Sequence, residues 1–170
     1  MRAALAFALL VFLAATAQAQ PFEQAQVDAG MLLYKPGFAN CEVCHGWRGG
    51  GAFLHEEPWT ISVAVGPPIE QTKRNRAQLI ELVACGTVTA ELRKPHYLAE
   101  AWTDAHPCGG KVAKDMPPDQ LPPVAPRPLT MAQIESVVTY VQATYLNGGM
   151  TLAQCVKYFG ERSKGCDIFR

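Results

Sequence analysis

The sequence has no excess of either charge: 15 Lys and Arg stand against 15 Asp and Glu, a formal net charge of zero. Without a basic surplus, neither nucleic acid nor an anionic membrane surface is expected as the main partner. The chain also lacks a second C-x-x-C pair and any H-x₃₋₅-H pair, the usual completions of a structural zinc site. No segment alternates as a strand should, no internal repeat is visible, and no βαβ pattern surrounds the cysteines.

A membrane-spanning run is missing too. The apolar stretch from Ala3 to Thr16, in "MRAALAFALLVFLAATAQAQ", falls short of the ~20 residues that cross a bilayer and carries no charged stop. It follows Arg2 and ends in Ala17-Gln18-Ala19, a small-x-small cleavage pattern. Residues 1–19 therefore read as a secretory signal, an uncleaved anchor being the alternative. Its removal takes away Arg2 and no acid, leaving 14 basic against 15 acidic side chains. Residues 20–170 suffice for one domain, exported to an oxidising compartment, the periplasm, with no membrane span after cleavage.

What is present is mostly helical. A helix is predicted from about Phe22 to Tyr34, stopped by Pro36-Gly37. A second starts at Asn75 as N-cap with Gln78 three residues on, and buries Leu79, Leu82 and Val83. The clearest has Thr130 and Gln133 as a capping box, Ile134, Val137, Val138, Val141 and Tyr145 at helical spacing, and Asn147-Gly148-Gly149 to close it. A short helix follows over about Thr151 to Phe159. Between them, "MPPDQLPPVAPRP", Met116 to Pro128, excludes helix and central strand and predicts an extended or turning surface segment.

The chemistry concentrates in "NCEVCHGWRGG", Asn40 to Gly50. Cys41 and Cys44 with His45 directly behind could serve zinc, a redox disulfide or covalent haem. Zinc would have to borrow His106 and Cys108; a thioredoxin-type pair would need a preceding strand. C-x-x-C-H alone is the c-type haem attachment signature, in which each thiol adds across a vinyl group and the histidine reaches the iron. One haem c, covalent through Cys41 and Cys44 and ligated by His45, is the expectation. Of the methionines, Met31 reads as core, Met131 as the first turn of the capped helix, and Met150 follows a Gly-Gly break. Met116, in "KDMPP", lies in an irregular loop stiffened by Pro117 and Pro118 and is the expected sixth ligand, with His96 and His106 as alternatives. His55 reads as surface.

This order of features resembles the class I, cytochrome c-like, monohaem c-type cytochromes: the helix ending "LLY", then "CEVCHG", "GPPI", "RAQLIELVACG", "MPP" and "LTMAQIESVVTYVQ", over about residues 22–146. The resemblance implies an all-α cytochrome c-like fold with crossing terminal helices. It implies axial ligation by His45 and Met116, and a carbonyl of Pro67 or Pro68 receiving the other N–H of His45. The function it implies is electron transfer rather than catalysis. A periplasmic dehydrogenase, for example of quinoprotein type, would be the donor, with passage toward a terminal oxidase through a small transient interface. A haem subunit of a stable dehydrogenase complex, or a five-coordinate haem enzyme or sensor, are the competing readings. Two departures stand out. The run after His45 is long and holds Trp47, Phe53, His55 and Trp59, expected to cover one haem face or to form a docking flap. The tail from Leu146 to Arg170 is additional. Of the three connectivities open to four thiols, Cys85–Cys108 and Cys155–Cys166 are expected in this compartment.

Overall fold

Three helices in this chain begin at side chains that satisfy orphan backbone groups. The computed structural model describes residues 22–51, 66–89, 93–147 and 149–169; the N-terminal segment and Phe53, His55 and Trp59 lie outside them. Among the described residues the α-helices are α1 (Gln24–Tyr34), α2 (Cys41–His45), α3 (Arg76–Cys85), α4 (Met131–Val141) and α5 (Leu152–Phe159). At α3 the Asn75 side chain accepts from the Gln78 N–H while the Gln78 side chain accepts from the Asn75 N–H. The same reciprocal box opens α4 at Thr130 and Gln133, and α5 at Thr151 and Gln154. Replacing such a cap by alanine costs about 1 kcal/mol. After Val141 the helix continues as a wider π-turn over Gln142–Leu146 and then ends.

The main contact is between α1 and α4, about 100 residues apart in the chain. Gly30 makes it close: a Cβ there would lie 1.9 Å from the Ser136 carbonyl oxygen and 2.8 Å from Tyr140 Cβ. Around this crossing the core divides in two. Ile134, Val137, Leu79, Ala84 and Leu98 are shared by α3, α4 and the segment after α3. Val27, Met31, Tyr34, Tyr140, Tyr145 and Tyr158 form the other half, under the C-terminal tail. Tyr34 lies 5.4 Å from Tyr140 and 5.6 Å from Tyr145, ring to ring; such pairs add about 1 kcal/mol each beyond their burial.

Among the described residues, four short strands depart from the expectation of none. β1 (Thr87–Val88) pairs antiparallel with β2 (Arg93–Lys94), and β3 (His96–Leu98) pairs parallel with β4 (Val124–Leu129). The proline-rich segment thus supplies a strand as well as a surface loop. Each of its sheets has two strands only, so Pro126 and Pro128 sit on an edge where a missing N–H is tolerated. Pro118 begins a 3₁₀ turn, Pro118–Gln120, the other local departure from a helix-free stretch. No helix among the described residues is long and apolar enough to cross a membrane.

The tail is pinned as the cysteines suggested. Cys85 bonds Cys108 and Cys155 bonds Cys166, each closing a loop that removes about 3 kcal/mol of unfolded-state freedom. Trp47 belongs to this tail: its ring meets Phe159 at 5.0 Å and Phe169 at 6.3 Å. It is absent from the lining of the cavity described below, so instead of covering a ligand face it anchors the C-terminus. Peptide mapping without reduction should recover these two bridges and leave Cys41 and Cys44 outside any disulfide. Reduction should lower the urea midpoint; a different connectivity would contradict the pinned tail.

Candidate functional site

The cysteine pair sits on a helix of barely more than one turn whose ends are fixed. Asn40 enters it with φ of 58°, a left-handed conformation that asparagine tolerates, and its side-chain oxygen accepts from the Gly37 N–H at 2.7 Å. Gly46 leaves it with φ of 70°, its N–H on the Glu42 carbonyl at 2.7 Å. Tyr34 donates to the Gly46 carbonyl at 2.9 Å, joining α1 to this turn. Half-buried Glu42 meets the Tyr158 hydroxyl from the tail. Burial raises its carboxyl, against the lowering effect of Tyr158 and Lys35.

Cys41, Cys44 and His45 open onto a cavity of about 500 Å³, within the roughly 300–1,000 Å³ of small-molecule and cofactor sites. Its walls are Leu79, Leu82 and Val83 of α3, Val137, Val138 and Val141 of α4, the 67–74 segment, and Lys94, Pro95 and Tyr97 beyond α3. The apolar faces read from sequence as helix core thus enclose a hollow. Tyr97 turns its hydroxyl away to the Ala39 carbonyl at 2.7 Å.

His45 is held by Pro67, whose carbonyl oxygen lies 2.9 Å from Nδ1; of the two candidate prolines this is the one that makes the contact, while Pro68 lines the cavity. A carbonyl can only accept, so Nδ1 carries the proton and Nε2 keeps its lone pair. Burial, with Lys94 adding to it, lowers the imidazole's pKa, favouring the same neutral form. Gly66 permits the closure: its N–H reaches the Cys44 carbonyl at 2.8 Å, and a Cβ on it would come within 2.8 Å of the His45 ring. The two thiols are free while all four other cysteines are bridged. Burial pushes the Cys41 thiol up to about 11 and raises Cys44 as well. Two neutral thiols and an oriented imidazole on one rim of an apolar hollow are a donor set that fits covalent haem.

The remaining candidates lie elsewhere. Met116 follows the 3₁₀ turn Ala113–Asp115, its N–H on the Ala113 carbonyl at 3.2 Å, and is half-buried outside the cavity lining. Met31, Met131 and Met150 are likewise absent from that lining, the first and last buried in the tyrosine-rich half of the core. His96 is buried with Nδ1 3.0 Å from the Leu98 carbonyl. His106 Nε2 is buried without a hydrogen-bond partner, 3.8 Å from Glu81. With Cys85 and Cys108 these two residues bring four possible metal donors within 4.8 Å of one another. Both sulfurs are spent in the disulfide, however, and Cys108 does not join the Cys41–Cys44 pair as a zinc site would require. Lys94 is the residue that sequence reasoning missed: in "LRKPHY" it reads as an ordinary surface lysine, and only the β1–β2 pairing brings it to the hollow. Burial lowers its ammonium pKa.

No family model matches the chain, and neither a curated protein nor a solved structure matches it.

Proposed function

We propose that the chain is a monohaem c-type cytochrome that carries single electrons in the periplasm after export. The observation that carries this reading is the His45 Nδ1 contact with the Pro67 carbonyl beside two unbridged thiols on one apolar cavity. Cys41 and Cys44 would hold the group by thioether bonds, and His45 would be its proximal ligand. When bound, haem supplies a one-electron couple. The protein's own part is to exclude water with the α3 and α4 walls and to keep the imidazole in one tautomer and orientation, so that little rearrangement accompanies a change of charge.

Donor and acceptor would be redox proteins, a periplasmic dehydrogenase of quinoprotein type and an oxidase among the candidates, met through a small transient interface. Export is supported by the N-terminal pattern at residues 1–19 and by two disulfides in the folded domain. Protein made with a haem-attachment system should keep its haem through denaturation and acidified organic solvent. Cys41→Ala with Cys44→Ala should release it. Haem that extracts freely from the wild type would overturn the assignment.

A further inference from the structure

We propose that Lys94, rather than Met116, supplies the iron ligand opposite His45, so that the haem is held between an imidazole and a primary amine. The proposal rests on the covalent-haem reading above and concerns a second ligand from the lining of the same cavity.

Iron needs a lone pair, and few side chains in the lining can offer one. Cys41 and Cys44 are committed to the thioethers, and arginine does not deprotonate. The hydroxyls of Tyr34 and Tyr97 are already engaged with the carbonyls of Gly46 and Ala39. Asn40, Gln71 and Thr72 offer only neutral oxygens, weak donors to haem iron, and those of Asn40 and Thr72 already accept from the Gly37 and Arg74 N–H groups. Among the described lining residues no methionine occurs, which leaves two lysines as amine donors. Lys73 is exposed, whereas Lys94 is half-buried and borders the hollow. It shares that lining with Cys41, Cys44 and His45.

Its backbone is fixed on both sides. Lys94 pairs with Thr87 across β1–β2, and Gly86 allows the approach: with φ of 65°, it leaves open a position where a Cβ would meet the Lys94 carbonyl at 2.5 Å. Two residues on, the His96 N–H is bound to the Pro123 carbonyl at 2.9 Å, and the Tyr97 hydroxyl ties the strand to Ala39, two residues ahead of Cys41. Among the described residues no acid forms an ion pair with the Lys94 amine. An amine without a carboxylate partner is able to give its lone pair to iron, its proton passing to solvent. Met116, by contrast, hangs from a turn held by the Ala113 N–H on the Trp102 carbonyl at 2.7 Å, beside the Cys85–Cys108 bridge.

The test uses haem-loaded full-length protein whose covalent attachment has first been established on a denaturing gel, so that loss of haem sinks the cytochrome reading and leaves the ligand question separate. Wild type should be low-spin, without the red-end charge-transfer band of iron–methionine ligation. Lys94→Ala should turn it high-spin and make carbon monoxide bind at once on mixing. Lys94→Met, similar in length and uncharged, guards against a misfolded alanine variant: it should restore six-coordination, produce the methionine band and raise the potential. Met116→Ala should change none of these. The methionine band in wild type, or an open site on Met116→Ala, would overturn the proposal and return the role to Met116. Opening on His96→Ala or His106→Ala, or a wild-type spectrum in Lys94→Ala, would overturn it equally.

Discussion

Gly30→Ala should destabilise the protein by about 3 kcal/mol, at the upper end of what overpacking costs. By helix propensity alone the sign would be opposite, because Gly30 lies inside α1 and alanine is the better helix former by about 1 kcal/mol. Sterics decide. The new methyl would stand 1.9 Å from the Ser136 carbonyl oxygen and 2.6 Å from its carbon, and both are backbone atoms of α4. No rotamer change relieves that contact; the helices must separate. Separation would also loosen Tyr34 against Tyr140 and Tyr145, and with it the hydrogen bond from Tyr34 to the α2 turn. Urea unfolding followed by circular dichroism should show the lowered midpoint. The neighbouring exposed Ala29→Gly serves as a control that should lose only about 1 kcal/mol through propensity. A Gly30→Ala midpoint at or above wild type would mean that α1 and α4 do not cross here.

The helices were legible because their signals are local. Asn75 with Gln78 and Thr130 with Gln133 announce their caps within four residues, and Ile134, Val137, Val138 and Val141 repeat at the helical period. The rim of the cavity, Cys41, Cys44 and His45, was legible for the same reason: the three lie within five residues of one another. What escaped depends on contacts distant in sequence. β3 and β4 are separated by the loop that holds the Cys108 bridge and Met116, and no alternation marks a three-residue strand beside a proline-rich one. "KDMPP" marks a stiff loop, but stiffness does not say where a loop points: the Ala113 N–H on the Trp102 carbonyl holds the turn that leads into Met116, and that contact spans 11 residues. Lys94 carries no sequence signal of burial at all. Apolar periodicity told which faces of α3 and α4 turn inward, but not that a hollow lies between them.

Gly66→Ala should uncouple His45 from its support while leaving the helices intact. The added Cβ would come 2.7 Å from the Cys44 carbonyl and 2.8 Å from both Cε1 and Nδ1 of His45. It therefore strikes at once the Gly66 N–H bond to Cys44 and the His45 contact with Pro67. Each such hydrogen bond is worth about 1 kcal/mol net, so the fold should survive, but losing the acceptor that orients a metal-binding imidazole costs roughly 10–100-fold in metal affinity or activity. On the covalent-haem reading proposed above, two readouts follow. Haem content per protein chain should fall, because a swung imidazole no longer meets the iron beside the two thioether positions. In the fraction that is loaded, the potential should rise, because an imidazole without its Nδ1 acceptor is the weaker donor and stabilises the oxidised iron less. Gly165→Ala, whose Cβ would meet only the Ser163 hydroxyl at 3.4 Å, should change neither quantity. Full loading with an unchanged potential in Gly66→Ala would mean that His45 is oriented by something other than the Gly66–Pro67 closure.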